Sequence, residues 1–386
     1  MKGHIRERSS GHWAIVIDVR DPSTDKRRRK WHSFKGTKRQ AQVECARLIS
    51  GLQNGTCVDP SRMTVAGYFG YWLDYRRPHV SPRSLECYRE LAANILPWIG
   101  TIIISKLRPA EIAGMYAHAL ETGRRDRSGG LSPRTVYHMH VLLKSALAQA
   151  VKWEMLGRNP ADAVKPPKVE RRPMRVLDAE GAIALIEAAR PRALFVPILL
   201  SVLCGLRRGE VAALRWHDVD FDLGRLSVVA SIEQTNEGIR LKPPKSGRSR
   251  PVALPALAIE ELRRHRLKQA EDLLRLGIRQ SDEMHVCLQP NHQPWAPRTL
   301  SGAFVRFIKA SGLPRVRLHD LRHSHATHLL AANVHPKIVQ ERLGHANIGI
   351  TMDIYSHVMP GMQDEAASRL DAVLRSALAK RRNTKG

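Results

Sequence analysis

Residues 315–358 read RVRLHDLRHSHATHLLAANVHPKIVQERLGHANIGITMDIYSHV. The apolar pattern of this stretch changes phase at Pro336 and again at Gly344, which predicts three short helices folded back on one another. Such a fold gathers His319, Arg322, His345 and Tyr355. Two histidines and an arginine suit the oxygens of a phosphate and a departing alkoxide, and a tyrosine hydroxyl is a nucleophile able to attack phosphorus and hold the product as an ester. A site of this kind needs further positive charge, and the chain supplies two more cations upstream. Arg207 lies in CGLRRGEVAALRW, where one apolar helix is predicted to end at Gly205 and another to begin. Lys245 lies in PKSGRSR, a Ser/Gly turn between two strand-like runs, read as a hairpin tip.

The order Arg207, Lys245, His319-x-x-Arg322, His345, Tyr355 resembles the catalytic set of the tyrosine recombinases, the phage-integrase family. The likeness is spread over GLRRGE, KSGRSRPVAL, LHDLRHSHATHLL and LGHANIGITMDIYSHV. One fixed residue matches by chance about one time in twenty, so a single block carries little and six positions in family order carry much. The resemblance implies an enzyme that breaks one phosphodiester without metal or nucleotide cofactor. Tyr355 is then the nucleophile that leaves a 3′-phosphotyrosyl link, and Arg207 and Arg322 hold the non-bridging oxygens. Lys245 protonates the departing 5′ oxygen, and His319 and His345 add hydrogen bonds and proton exchange. Lys242 competes with Lys245 for the hairpin role, and Pro243-Pro244 are expected to shorten the strand before it. Glu210 and Asp320 read as residues that orient the arginines and the helix ends.

Each of these positions also has an ordinary reading. A tyrosine in an amphipathic helix is commonly packed. His323, His325, His328 and His357 show how frequent histidine is here, yet no carboxylate or cysteine recurs beside them at ligand spacing.

The rest of the chain fits around this set. At 386 residues it is too long for one core and predicts two or three domains. Its 63 Lys+Arg against 36 Asp+Glu give a net charge of +27. An excess spread over every segment is the electrostatic footprint of a nucleic-acid binder, although a ribosome-associated or merely basic protein would carry it too. Five scattered cysteines without a CxxC pair indicate neither a disulfide framework nor a zinc site. The start, MKGHIRERSSGH, lacks the apolar core of a secretion signal, and no run is long enough to cross a bilayer, so a cytoplasmic protein is expected.

The fold class expected is mainly α with small β-sheets (α+β). Residues 1–58 read as a β-hairpin plus helix module: Trp13, Ile15, Ile17 and Val19 alternate as a strand, 21–25 turn, a basic return strand follows, and Thr37-x-x-Gln40 caps a helix. This module resembles the arm-site-binding domain of many phage integrases, though a solvated basic hairpin has the same composition. Residues 62–168 read as a bundle of four helices resembling the family's core-site-binding domain, two of them opened by Ser81-Pro82 and Ser132-Pro133. PADAVKPPKVERRP (160–173) reads as a linker that lets two lobes close on a duplex. Residues 174–386 form the expected catalytic domain, with strands near 226–229, 238–241 and 250–254. Its tail, 363–380, carries an apolar stripe through Ala366, Leu370, Val373, Leu374 and Ala377; the resemblance implies that such a segment docks on a neighbouring protomer, and packing on its own domain is the alternative.

The expected partners are double-stranded DNA with specific attachment sites, a homotetramer and an accessory DNA-bending protein. The expected function is integration or excision of a mobile element, because a Xer-like chromosome-dimer resolvase typically lacks the extra amino-terminal module. A type IB topoisomerase and a non-catalytic architectural DNA-binding protein are the other readings.

Overall fold

The computed structural model describes residues 3–20, 27–53, 62–124, 126, 128–170, 175–245, 247–349, 351–352, 367–368 and 370–375. The expected turn at 21–25, most of the tail and Tyr355, the expected nucleophile, lie outside the described residues. The chain divides into two compact units, Met1–Glu170 and Arg171–Gly386.

The first unit opens with three antiparallel strands in the order β1 (Gly3–Ser9), β2 (His12–Arg20), β3 (Arg27–Lys35), followed by α1 (Lys38–Gln53). The first strand went unread in the sequence because its charged residues show no apolar alternation; it is held by backbone pairing to β2, from Gly3 against Ile17 to Ser9 against His12. Thr37 and Gln40 cap α1 reciprocally: the Gln40 side chain accepts from the Thr37 N–H at 2.9 Å and Thr37 Oγ1 accepts from the Gln40 N–H at 3.3 Å. Ile15, Ile17 and Cys45 form the buried centre of this module.

Four helices follow: α2 (Val65–Arg76), α3 (Pro82–Ile99), α4 (Pro109–Thr122) and α5 (Pro133–Lys152). Thr64, Ser81 and Ser132 cap α2, α3 and α5, the last two with proline in the first helical turn, where its missing N–H costs nothing. Their apolar faces close over Tyr68, Phe69, Trp72, Ile95, Ile112, Met139 and Leu143. The buried Tyr68 hydroxyl donates to the Ala146 carbonyl at 2.6 Å, so the core accepts a polar ring without an unpaired group.

The second unit begins with α6 (Ala179–Ala189), capped by Asp178, whose Oδ1 accepts from the Gly181 N–H at 2.8 Å. Helix α7 (Phe195–Leu203) is apolar nearly all round and correspondingly buried; α8 (Arg208–Ala213) follows after one turn. Strands β4 (Val219–Asp220), β5 (Arg225–Val228) and β8 (Arg250–Ala253) form one antiparallel sheet, whereas β6 (Ser231–Gln234) and β7 (Ile239–Lys242) form a separate hairpin. Helices α9 (Ala256–Arg275), α10 (Pro297–Ser311), α11 (Leu318–Ala331) and α12 (Pro336–Leu343) complete the unit. The core runs through Leu185, Ile198, Leu199, Trp216, Phe304 and Leu321. The architecture is α+β, mostly helical, and no described helix is long and apolar enough to cross a membrane.

One local expectation changes. Lys245 is not at a hairpin tip: the tip of the β6–β7 hairpin lies at 235–238, and Lys245 sits in the segment that leaves this hairpin for the other sheet. The physical reason is Pro243-Pro244, which cannot donate to a ladder, so β7 stops at Lys242.

Candidate active site

Two helix C-termini and two guanidinium groups define the site. After α7 the chain turns at Gly205, whose φ of +65° puts it in the left-handed region; a Cβ there would come within 2.6 Å of both the His325 ring and Leu343. Helix α12 ends the same way at Gly344, with φ +63°. These turns leave carbonyls pointing out of helix ends, where the helix dipole concentrates negative partial charge. Arg322, on α11, donates from Nη1 to the Gly205 carbonyl at 2.6 Å and from Nη2 to the Leu343 carbonyl. Arg207, at the N-cap of α8, donates from Nη2 to the Gly344 carbonyl at 2.8 Å. The carbonyls of consecutive residues thus fix both guanidiniums, and each has five N–H donors, so several remain for an anion.

Glu210 supplies the counter-charge. It accepts from the Arg207 backbone N–H at 2.9 Å and from Arg207 Nη1 at 2.8 Å, and it receives a two-pronged bond from the buried Arg250. Burial alone would raise its pKa, but the hydrogen bond and charge of Arg250, with Arg207 behind them, outweigh burial and hold the carboxyl below its usual range. Among the described residues Arg322 has no carboxylate partner of its own. Only 2% of it is exposed, and burial, with the charge of Arg207 next, brings its pKa down to about 9, leaving it charged at neutral pH.

Burial and the neighbouring arginines favour the neutral form of the two candidate histidines, His345 and His319. His345 is half-buried with its Nδ1 2.9 Å from Thr351 Oγ1; burial, then Arg322 and Arg207, lower its pKa to about 3. His319 lies in the first turn of α11, edge-on to His323 with ring centroids 4.9 Å apart. Burial of part of its ring, then His323 and Arg322, lower its pKa to about 4, although the residue as a whole stays exposed and the shift is correspondingly softened by water. Asp320 caps α11, accepting from the Arg317 N–H at 2.9 Å, and pairs with the Arg317 side chain. It therefore orients a helix end and not Arg322.

The sequence profile of the phage integrase family matches residues 175–361. The ICEBs1 integrase of Bacillus subtilis is 32% identical over 274 residues, spanning 70% of this chain and 72% of that protein. The chain belongs to the phage integrase family. It is a tyrosine site-specific recombinase. A tyrosine recombinase XerC-like protein of Caldanaerobacter subterraneus is 26% identical over 359 residues, covering 87% of this chain and 90% of its own length. Among solved structures, the Tn1549 transposon integrase in complex with a circular intermediate DNA superposes with a TM-score of 0.67 at 19% identity, over 80% of this chain and 99% of that one. The lambda integrase tetramer bound to a Holliday junction gives 0.57 at 20% identity, over 89% and 95%.

Of the six residues read from the recombinase's sequence, Arg207 and Arg322 meet at the α12 terminus, and His319 and His345 carry pKa shifts caused in part by those arginines. Lys245 is exposed, while Lys242 is held by Glu233, which also binds Arg240. Sequence reasoning missed Arg250 and Arg342. For Arg250 a signal existed: β8 alternates buried and exposed positions, and Arg250 falls on the inward set, where a charge implies a buried partner.

Proposed function

We propose that the chain cleaves and rejoins DNA strands through a 3′-phosphotyrosyl intermediate, so as to integrate or excise a mobile element. The observation that supports this best is the pair of guanidiniums, Arg207 and Arg322, held by carbonyls of consecutive residues with donors to spare. In this reading they bind the non-bridging oxygens of one phosphodiester. Guanidinium suits the task because its fork matches two oxygens and keeps its charge at working pH. Tyr355 Oη attacks phosphorus, the bond from phosphorus to O5′ breaks, and Lys245 gives its proton to the departing oxygen. His319, neutral at working pH, is able to accept a proton from the nucleophile, and His345, its Nδ1 engaged by Thr351, offers Nε2 to a phosphate oxygen. The ester conserves the energy of the broken bond, so a 5′-hydroxyl of another strand reverses the step and no cofactor is consumed.

The partner proposed is double-stranded DNA with specific attachment sites, in keeping with the net charge of +27. Residues 1–58 are proposed to bind arm-type sites, 62–168 to bind the core site, and 174–386 to carry the chemistry. A homotetramer is proposed as the working assembly, supported by the exposed Leu370, Val373 and Leu374 of the tail and by the tetrameric state of the lambda integrase. The XerC-like relative keeps chromosome-dimer resolution as a second reading. A nicked suicide substrate tests the chemistry: the wild-type chain is expected to form a covalent protein–DNA adduct and Tyr355→Phe none. A protein that shifts DNA but forms no adduct in either version is an architectural binder instead.

A further inference from the structure

We propose that Arg342, held by the neutral ring of His325, is a positioning residue that sets the C-terminal carbonyls of α12 against the two site arginines. The proposal rests on the reading of Arg207 and Arg322 as phosphate-binding residues and extends it to a residue that touches no substrate.

The argument starts from what Arg342 reaches. It occupies the last turn of α12, directly before Leu343 and Gly344, whose carbonyls receive Arg322 and Arg207. Its guanidinium is partly buried, and each of its three nitrogens donates to the protein. Nη2 donates to the Leu203 carbonyl at 3.2 Å, at the end of α7, and Nη1 donates to the Ala253 carbonyl at 2.9 Å, at the end of β8. Nε donates to His325 Nε2 at 3.0 Å, on α11. One side chain therefore ties α12 to three other elements. The carbonyl of Arg342 itself accepts from Arg250 Nε at 2.8 Å, so the same residue is also gripped through its backbone.

His325 makes this arrangement possible only in one form. Its Nδ1 lies 2.8 Å from the Val202 carbonyl, which can only accept, so Nδ1 carries the proton. Nε2 is then a lone pair, and that lone pair accepts from Arg342. A protonated ring would set an N–H against the guanidinium. Burial and the charge of Arg342 bring the His325 pKa down to about 4, consistent with the neutral tautomer. The same ring packs on Gly205, the second carbonyl that holds Arg322. The His325–Arg342 pair thus reaches all three carbonyls that carry the site arginines: Gly205 by contact with its backbone, Leu343 and Gly344 through the helix end that Arg342 anchors.

Two readouts test this. In the first, side-chain NMR of the arginine guanidiniums is recorded for the full chain, with Arg207 and Arg322 signals assigned from Arg207→Lys and Arg322→Lys. Arg342→Ala is expected to remove the slow exchange of both guanidiniums, and Arg342→Lys, which keeps the charge but not the fork, to restore it only in part. Unchanged Arg207 and Arg322 signals in Arg342→Ala overturn the proposal, whether or not the chain cleaves DNA. In the second, single-turnover cleavage of the nicked substrate is expected to slow roughly 10–100-fold in Arg342→Ala, as when other orienting partners are removed, with DNA affinity within about twofold of wild type. Because the effect passes through both site arginines, it is expected to shrink in an Arg322→Ala background, where only Arg207 is left to position; an equal loss in both backgrounds overturns the proposal. If Arg342→Ala does not fold, His325→Phe, which keeps the ring volume and removes the acceptor, takes its place in both measurements. Absence of an adduct in the wild type overturns the cleavage reading alone, since the NMR outcome stands by itself.

Discussion

Glu210 and Arg250 form a buried two-pronged ion pair, with Nη1 to Oε1 at 3.1 Å and Nη2 to Oε2 at 2.8 Å, and the same carboxylate carries Arg207. A structural cation and a proposed phosphate-binding cation therefore share one anion. Stability and chemistry meet at that carboxylate.

Glu210→Ala is expected to destabilise the second unit by about 3–5 kcal/mol, because it leaves Arg250 buried without its counter-charge. Glu210→Gln keeps the shape and one acceptor oxygen and is expected to cost less. Because the Glu210 carboxyl titrates below its unfolded value, its contribution is fully present above about pH 4.3 and is lost as pH falls through the lower folded value. Denaturant midpoints of the wild type and Glu210→Gln between pH 6 and 3 check this. A wild-type midpoint that falls no more steeply than that of the variant below pH 4 contradicts it.

His325 gives a second pH window. Its folded pKa of about 4 lies below the unfolded value of about 6.5, so the unfolded chain binds more protons between these limits. Stability therefore declines as pH falls from about 6.5 toward 4. In His325→Phe the slope of midpoint against pH over this range is expected to shrink, even though the variant starts from a lower midpoint. A slope identical to wild type removes His325 as its source.

Gly205→Ala is expected to lower both stability and cleavage. The left-handed backbone costs a non-glycine residue about 1–2 kcal/mol, and the added methyl meets His325 and Leu343 at 2.6 Å, adding about 1–3 kcal/mol of overpacking. The Gly205 carbonyl that holds Arg322 moves with the backbone. Thermal unfolding and single-turnover cleavage are the measurements; a variant with full cleavage shows that this carbonyl does not set Arg322.

Arg322→Met separates folding from chemistry. Arg322 is a buried cation with no carboxylate of its own among the described residues, so its removal relieves desolvation while taking the donor from the Gly205 and Leu343 carbonyls. The two effects oppose, and stability is expected to stay within about 2 kcal/mol of wild type. Loss of one donor to the pentacoordinate state typically costs about 3 kcal/mol, a rate loss of roughly 100-fold or more. Retained affinity for a cognate duplex with cleavage lost is the expected pattern, and loss of both means that Arg322 is structural.

The sequence pointed to the candidate site more readily than to the residues packed around it. Arg207, His319, Arg322 and His345 stand out because their types and order follow a chemistry that recurs. Helix starts were legible where a side chain closes the first turn, as at Thr37, Ser81, Ser132 and Asp178. What stayed hidden depends on contacts far apart in the chain. Arg342 reads as one more exposed cation of an amphipathic helix, and only its approach to Leu203 and Ala253, 139 and 89 residues away, makes it a partly buried tie. Strand β1 was equally silent, since an edge strand paired through its backbone needs no apolar alternation.

Lys245 and Lys242 offer the sharpest choice that remains in the site. Both lie near the end of the β6–β7 hairpin, but their surroundings differ. Lys242 is 31% exposed and bound to Glu233, which is itself buried and also holds Arg240. Removing Lys242 therefore weakens a partly buried ion-pair network. Lys245 stands exposed in the segment after Pro243-Pro244, so Lys245→Ala is expected to change stability by less than about 0.5 kcal/mol. If Lys245 protonates O5′, the variant slows strand cleavage by roughly 100-fold or more, the scale of a general acid. A bridging 5′-phosphorothiolate, whose sulfur leaves without a proton, is expected to restore Lys245→Ala to near the wild-type rate. The opposite pattern, with rescue of Lys242→Ala and full activity in Lys245→Ala on ordinary DNA, transfers the role to Lys242.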